Sequence, residues 1–334
     1  MNDKPLVSVI IVNFNGKKYL RRCFESLLAG TYKNIEIIFV DNGSSDASIE
    51  FVRENFPHVT VIDNQSNLGL SIASNRGAQA AKGAYLFFYN NDTIADERLI
   101  EKLTRKLQEE PATGICGCRT LTYDGKTVIN EGVHCDIFGY PYGKGEIFYV
   151  DAAIFIRRDL FERLGGFDEK MFLYGEDRDI CWRCWLYGYA VKVVPEAVFY
   201  HDSACISEDL RAYITSLNKR FLGEYNAMRS LLKNYSLPFL VAIMPLYIAI
   251  NIAEAFAFIV SGQPEVFGKA YLKAYAQLLR DLADIREKRR IIQRERKISD
   301  FELLRHMMKI SGKLRLLFKM GIPHFGKDIK YTGN

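Results

Sequence analysis

Four short runs of β-branched and aromatic residues, separated by helical patterns, constrain this chain more than any other feature. The first, Val7–Asn13 (VSVIIVN), is almost wholly apolar, as is a strand buried on both faces of a parallel sheet. Residues 35–40 (IEIIFV), 59–62 (VTVI) and 84–89 (AYLFFY) repeat the pattern. Between them, Lys17–Ala29 sets Leu20, Cys23, Phe24 and Leu27 at helical spacing. Further helices are predicted over 47–55 and 67–82, the second closed by Gly83. Strands alternating with helices of this length predict an α/β fold, a mostly parallel sheet with flanking helices. At 334 residues the chain is long enough for two structural units.

In such sheets ligands bind beyond the carboxyl ends of the strands. Three polar clusters fall there: Asn13-Phe14-Asn15-Gly16, Asp41-Asn42-Gly43-Ser44-Ser45-Asp46 and Asn90-Asn91-Asp92. The first turn lacks the glycines that bring backbone up to a pyrophosphate, and no Gly-Lys-Ser/Thr phosphate loop occurs. A bound diphosphate therefore needs another counter-charge, which a divalent cation (Mg2+ or Mn2+) on a strand-end carboxylate supplies.

Further along, Gly175-Glu176-Asp177-Arg178-Asp179 opens a helix whose apolar face carries Ile180, Cys181, Cys184 and Trp185. Unpaired N–H groups favour acids in a first helical turn. Local sequence leaves open whether these acids cap a core helix or do chemistry. Seven cysteines follow no disulfide-framework or zinc spacing, and Cys181-x-x-Cys184 reads as core packing. No signal-peptide pattern precedes the first strand, so reduced thiols in a cytosolic protein are expected.

Taken in order, Val7 to Gly16, Val40 to Asp46, Asn67-Leu68-Gly69, Asn75-Arg76-Gly77, Asn90-Asn91-Asp92, Gly165-Gly166-Phe167-Asp168-Glu169 and Gly175 to Asp179 form a series. The series resembles family 2 glycosyltransferases of the GT-A (Rossmann-like) fold, especially the rhamnosyltransferase-like branch, over roughly residues 5–235. The resemblance implies an inverting enzyme that moves a sugar, hexosyl or deoxyhexosyl, from a nucleotide-diphosphate donor to a hydroxyl acceptor. It implies Asp177 as the catalytic base, with Glu176 beside it and Asp151 and Asp179 on the acceptor side. Nucleotide contacts are implied for Asn13, Asn15, Asp41, Asp46, Asn67, Arg76, Asn90 and Asn91. The metal is assigned to Asp92 and His201. Asn90 stands where the family's Asp-x-Asp motif begins with Asp, so direct metal binding rests on Asp92. Two other readings are weighed. A nucleotidyltransferase usually carries a glycine-rich loop after the first strand, absent here, and the intact Glu176-Asp177 pair argues against a non-catalytic, membrane-attached carbohydrate-binding protein.

Residues 238–260 carry one charge, Glu254, and are long enough to cross a bilayer. Tyr247, Asn251 and Glu254 share one helical face, however, which suits an interfacial helix or one packed on protein, as in a homodimer. Residues 263–334 hold seventeen Lys and Arg against eight Asp and Glu, a net of +9 in a chain whose total is +5. A basic tail on a slightly acidic body suits an anionic leaflet better than nucleic acid. A span would also carry that tail across the membrane, against the tendency of basic flanks to stay cytosolic. The expectation is a GT-A domain over 1–235 and, over 236–334, a membrane-associating hydrophobic helix with a basic helical tail. The protein then sits at the cytoplasmic face of the cell membrane, and its acceptor is a lipid-linked saccharide or surface glycan precursor.

Overall fold

The structure, a computed structural model, describes residues 4–142, 147–201 and 214–325. The four expected strands are present as β1 (Val7–Asn13), β2 (Ile35–Asp41), β3 (Thr60–Asp63) and β4 (Tyr85–Tyr89). They are joined by α1 (Lys17–Ala29), α2 (Ser48–Asn55) and α3 (Leu70–Ala80). The strands pair in parallel in the order β3-β2-β1-β4, with Asn13 opposite Asp41. That register brings the two polar strand ends out of the sheet side by side. α3 stops at Ala80, short of the expected Lys82, because the next N–H groups are taken elsewhere. Those of Lys82 and Gly83 donate to the Glu36 carboxylate and the Ser8 hydroxyl.

The other half of the sheet is mixed. β5 (Thr93–Ala95) and α4 (Leu99–Glu109) lead to β6 (Thr113–Thr122), its hairpin partner β7 (Val128–Asn130), and the small pair β8 (His134–Cys135) and β9 (Pro141–Tyr142). β10 (Ala153–Arg157) runs antiparallel between β4 and β6, and α5 (Arg158–Arg163) and α6 (Glu176–Leu186) follow it. β11 (Ala190–His201) lies parallel to β6 and takes β5 antiparallel on its outer edge. This strand runs on from Val191 to His201. It does so through a register shift between Val194 and Val198, where Pro195 has no N–H for the ladder.

Alternate strand residues feed two cores, which is why the strands read as unbroken apolar runs. Ile11, Phe39, Phe87 and Phe155 pack with α1 and α4 on one face. Ile10, Ile38, Phe88 and Ile154 pack towards α3 and α6 on the other.

After β12 (Ile214–Thr215) come α7 (Leu217–Asn234), α8 (Leu237–Val260), a π-helical turn at Phe267–Leu272, α9 (Lys273–Arg280) and α10 (Leu282–Glu295). α11 (Asp300–Leu303), α12 (Gly312–Met320) and β13 (His324–Phe325), paired with β12, complete the described chain. The expected division at 235/236 is not a break in packing. Leu240, Ile250, Leu278 and Ile292 share one continuous apolar cluster with Ile10 and Trp182. Tyr140 is partly buried and Pro141–Tyr142 pair with β8.

Candidate active site

The strand-end clusters knit into one hydrogen-bonded rim. Asn13 donates from Nδ2 to Asp41 Oδ2 (2.9 Å) and to Ser44 Oγ (3.0 Å), and accepts from Asn91 Nδ2 (2.6 Å). Asn15, with φ +54°, accepts from the Ser45 N–H at 2.8 Å. Asp46 caps two segments, taking the N–H groups of Lys17 and Ser48. A second chain runs from Arg76, which donates to Asn64 Oδ1 (2.6 Å), through Asn64 to Asn42 (2.8 Å) and on to Asn67 (3.3 Å). These amide dipoles, with exposed Arg76 among them, line the edge where the sheet's parallel strands end. Asp41 itself is fully buried and accepts three bonds, from Asn13 and from the backbone and hydroxyl of Ser44. In this structure its carboxylate holds the 41–46 loop.

At the far end of β4, the β5–β11 pairing sets His201 opposite Thr93, next to Asp92. His201 Nε2 lies 3.3 Å from Asp92 Oδ1, and both side chains are partly open to solvent. That separation matches two cis ligands of one ion at metal–ligand distances of ~2.1 Å. The pair is placed where it could hold a divalent cation. Among the described residues no group of three His, Cys, Asp or Glu offers a fuller protein cage.

The acidic helix opens onto a cleft walled by Val12, Leu70, Asn90, Ala152, Glu176 and Asp177. Its position is set by the loop before it. Gly69 packs so closely on this loop that a Cβ there would come 2.6 Å from the Phe172 carbonyl. That carbonyl takes the Leu70 N–H at 2.7 Å, while Ser71 Oγ donates to Met171 O at 2.6 Å. Asn75 clamps Phe167 with both amide atoms, at 2.9 Å each. Tyr174 (φ +69°) and Gly175 (φ +87°) turn left-handed immediately before Glu176. Asn226 of α7 holds that turn by donating to the carbonyls of Leu173 and Tyr174. Ala152, beside Asp151, is also left-handed at φ +58°, so strained backbone flanks the cleft on two sides.

Three carboxylates meet here. Burial pushes the Asp177 pKa up, and the charge of Asp151 pushes it further. Glu176 is raised by burial first and by Asp177 second, and its buried Oε2 has no hydrogen-bond partner. Asp151, which accepts from Asn130, is raised by its own burial. Arg178 is the cation beside them. Buried and outside ion-pair distance of any carboxylate among the described residues, it offsets only part of the rise.

Asp179, expected on the acceptor side, is not at the cleft. It points into α7, fully buried, and pairs with Arg183 and Lys233 at 3.0 Å each while accepting from Ser230 and Asn234. One turn of helix cannot present Asp177 and Asp179 to the same side, since residues two apart lie about 200° round its circumference. Asp168, in the Gly165–Glu169 motif, also faces α7. It is bound bidentately by Arg229 (2.8 and 2.9 Å) and also paired with Lys233 and Lys288. Asn226 carried no sequence signal, because its partners are backbone carbonyls fifty residues away.

A family model for glycosyl transferase family 2 matches residues 8–187. The glycosyltransferase EpsJ of Bacillus subtilis is 25% identical over 246 residues, 70% of this chain and 71% of EpsJ. The glycosyltransferase RT0329 of Rickettsia typhi is 30% identical over 241 residues, 68% of this chain and 71% of its own length. The O-antigen biosynthesis protein RfbC of Myxococcus xanthus is 28% identical over 60% of this chain, a stretch that is 18% of RfbC. Among solved structures, GalNAc-T7 with UDP, GalNAc and Mn2+ superposes with a TM-score of 0.66 over 96% of this chain and 59% of its own, at 16% identity. The mannosyltransferase PcManGT of Pyrobaculum calidifontis, with GDP-Man and Mn2+, reaches 0.51 over 88% and 86% at 15% identity. At such identities the likeness speaks for the fold alone. The sequence match runs from the first strand to the last residues of the acidic helix, so the chain belongs to glycosyl transferase family 2, on a GT-A fold.

Proposed function

We propose that this chain is an inverting glycosyltransferase that moves a hexosyl or deoxyhexosyl group from a nucleoside-diphosphate donor to a hydroxyl of a glycan or lipid-linked saccharide, in the assembly of a surface polysaccharide. The observation that carries this reading is Asp177, a carboxylate on the wall of the cleft beside Asn90, with a pKa raised by burial and by Asp151. A general base works best with a pKa near the operating pH, and that rise moves Asp177 in the required direction. The acceptor O–H proton passes to Asp177 as the acceptor oxygen bonds to the anomeric carbon. The bond from that carbon to the diphosphate breaks, and the leaving group keeps its electron pair.

Glu176, raised by burial and by Asp177 and with its buried Oε2 unpartnered, stands beside the base and orients the acceptor. Asp151 keeps the base's pKa up. The rim of Asn13, Asn15, Asn67, Asn91 and Arg76 receives the nucleotide, with Asp41 and Asp46 fixing its loops. Asn90, on the cleft wall, meets the ribose or diphosphate. Asp92 and His201 would hold a divalent cation, which supplies charge stabilisation to the departing diphosphate. The nucleotides and Mn2+ bound by the two structural neighbours, and the O-antigen role in the name of RfbC, support this reading. Incubation with UDP- and GDP-sugars and a panel of saccharide acceptors tests it. Acceptor-dependent release of free nucleoside diphosphate, with inverted anomeric configuration in the product, is expected. Release of pyrophosphate, or a retained configuration, overturns it.

A further inference from the structure

The helix α8 is amphipathic in reverse. Its polar residues all face protein: Tyr247, Asn251 and Glu254 are buried. Glu254 pairs with Arg220 and with Lys313 (3.0 Å) and accepts from Tyr271, while Asn251 accepts from Lys313 at 2.8 Å. Every residue of the helix that is open to solvent is apolar. Leu246, Ile252, Phe256 and Val260 are 53%, 62%, 65% and 70% exposed, along a helix of 24 residues. Water does not favour an uncovered stripe of that length, so something apolar belongs on it.

Three observations say what. First, α8 cannot cross a bilayer in this fold. Its polar seam is ion-paired to α7 and α12, and the chain beyond it returns to the catalytic body, where Arg229 of α7 grips both Asp168 and Asp284 of α10. A span would put α10 on the opposite side of the membrane from Asp168. Second, α10 carries Arg286, Arg290 and Arg294 at i, i+4 spacing, all exposed, with exposed Lys297 just after the helix. Third, α10 and the residues after it reach the start of α8. Arg289 donates to the Tyr235 carbonyl, and Arg296 pairs with Asp300, whose other oxygen takes the N–H of Ser236 at the α8 N-cap. An exposed apolar helix joined at its start to a helix with an exposed basic stripe fits a surface that is apolar within and anionic at its boundary. A second copy of the same chain would bring two basic stripes into proximity.

We propose that α8 lies in the plane of an anionic lipid leaflet, apolar face down, with Arg286, Arg290 and Arg294 against the headgroups. This goes beyond the transfer reaction and does not depend on it. The full chain is mixed with vesicles of neutral phosphatidylcholine, with and without one-third phosphatidylglycerol, and sedimented. Binding is expected to the anionic vesicles, falling as salt is raised. Ile252→Asp and Phe256→Asp should each weaken it by about ten-fold or more, and reversal of the three arginines to Glu by about a hundred-fold. All these side chains are exposed, and unchanged thermal unfolding in buffer shows that the variants fold. Two results overturn the proposal. One is a protein that stays in the supernatant with anionic vesicles as a stable dimer, which Ile252→Asp makes monomeric. The other is binding that neither class of substitution changes.

Discussion

Asp168→Asn is the sharpest test of the packing that sets the acidic helix in place. Asp168 is almost fully buried, and its two oxygens meet Arg229, Lys233 and Lys288, the last at 2.6 Å. It sits in the loop before α6, whereas its partners sit on α7 and α10, so one carboxylate ties the catalytic sheet to the C-terminal helices. Removing one member of a buried ion cluster leaves desolvated cations and typically costs about 3–5 kcal/mol. Lys288 is one-third exposed and contributes little to that total. Arg229 keeps Asp284 and Lys233 keeps Asp179, which argues for the lower end, about 3 kcal/mol. For a chain of this size that is a fall in Tm on the order of 4 °C. The cationic partners hold the Asp168 pKa well below the usual carboxylate range despite burial. Its folded pKa is therefore depressed. The stabilisation is present above the unfolded pKa, about 4, and is lost as pH falls through the folded value. Urea unfolding of wild type and variant at pH 7 and at successively lower pH reads both effects. The gap should be full at pH 7 and narrow below about pH 4. A loss under about 1 kcal/mol at pH 7, or a gap that widens in acid, refutes the reasoning.

Asp151→Asn removes a negative charge that raises the Asp177 pKa, so the acid limb of the kcat/KM profile should move to lower pH, and an upward move contradicts the assignment. Asp92→Ala and His201→Ala should each weaken donor diphosphate binding, measured calorimetrically, in the presence of Mn2+ and not in chelator. Activity unaffected by chelator removes the metal from both residues. Asp41→Ala, which strips three bonds from a buried loop anchor, should lower stability by about 1–3 kcal/mol and weaken nucleoside binding even without metal. Unchanged nucleoside affinity separates Asp41 from the donor site.

The sheet's first half was legible because parallel strands buried on both faces leave continuous apolar runs, and the polar residues that end those runs mark the ligand edge. The β4-β10-β6 arrangement was not, since a strand's direction in a sheet leaves no periodic trace in its own residues. Asp92 and His201, 109 residues apart in sequence, lie 3.3 Å apart, a juxtaposition that motif order carries and spacing does not. Asp179 misled for a local reason: contiguity in sequence is not contiguity on a helix, and its neighbours on α7 lay fifty residues beyond. The reading of α8 was half legible. Helical spacing put Tyr247, Asn251 and Glu254 on one face, but only Arg220 and Lys313 reveal that this face turns inward.

Asp177→Asn tests the central claim most directly. The amide keeps the shape of the carboxylate and cannot accept a proton, so acceptor-dependent release of nucleoside diphosphate should fall by about a hundred- to ten-thousand-fold. Donor affinity, read by calorimetry on the same preparation, should stay close to wild type. A variant that keeps most of its transfer activity, or loses it only because the donor no longer binds, contradicts the assignment of Asp177 as the base.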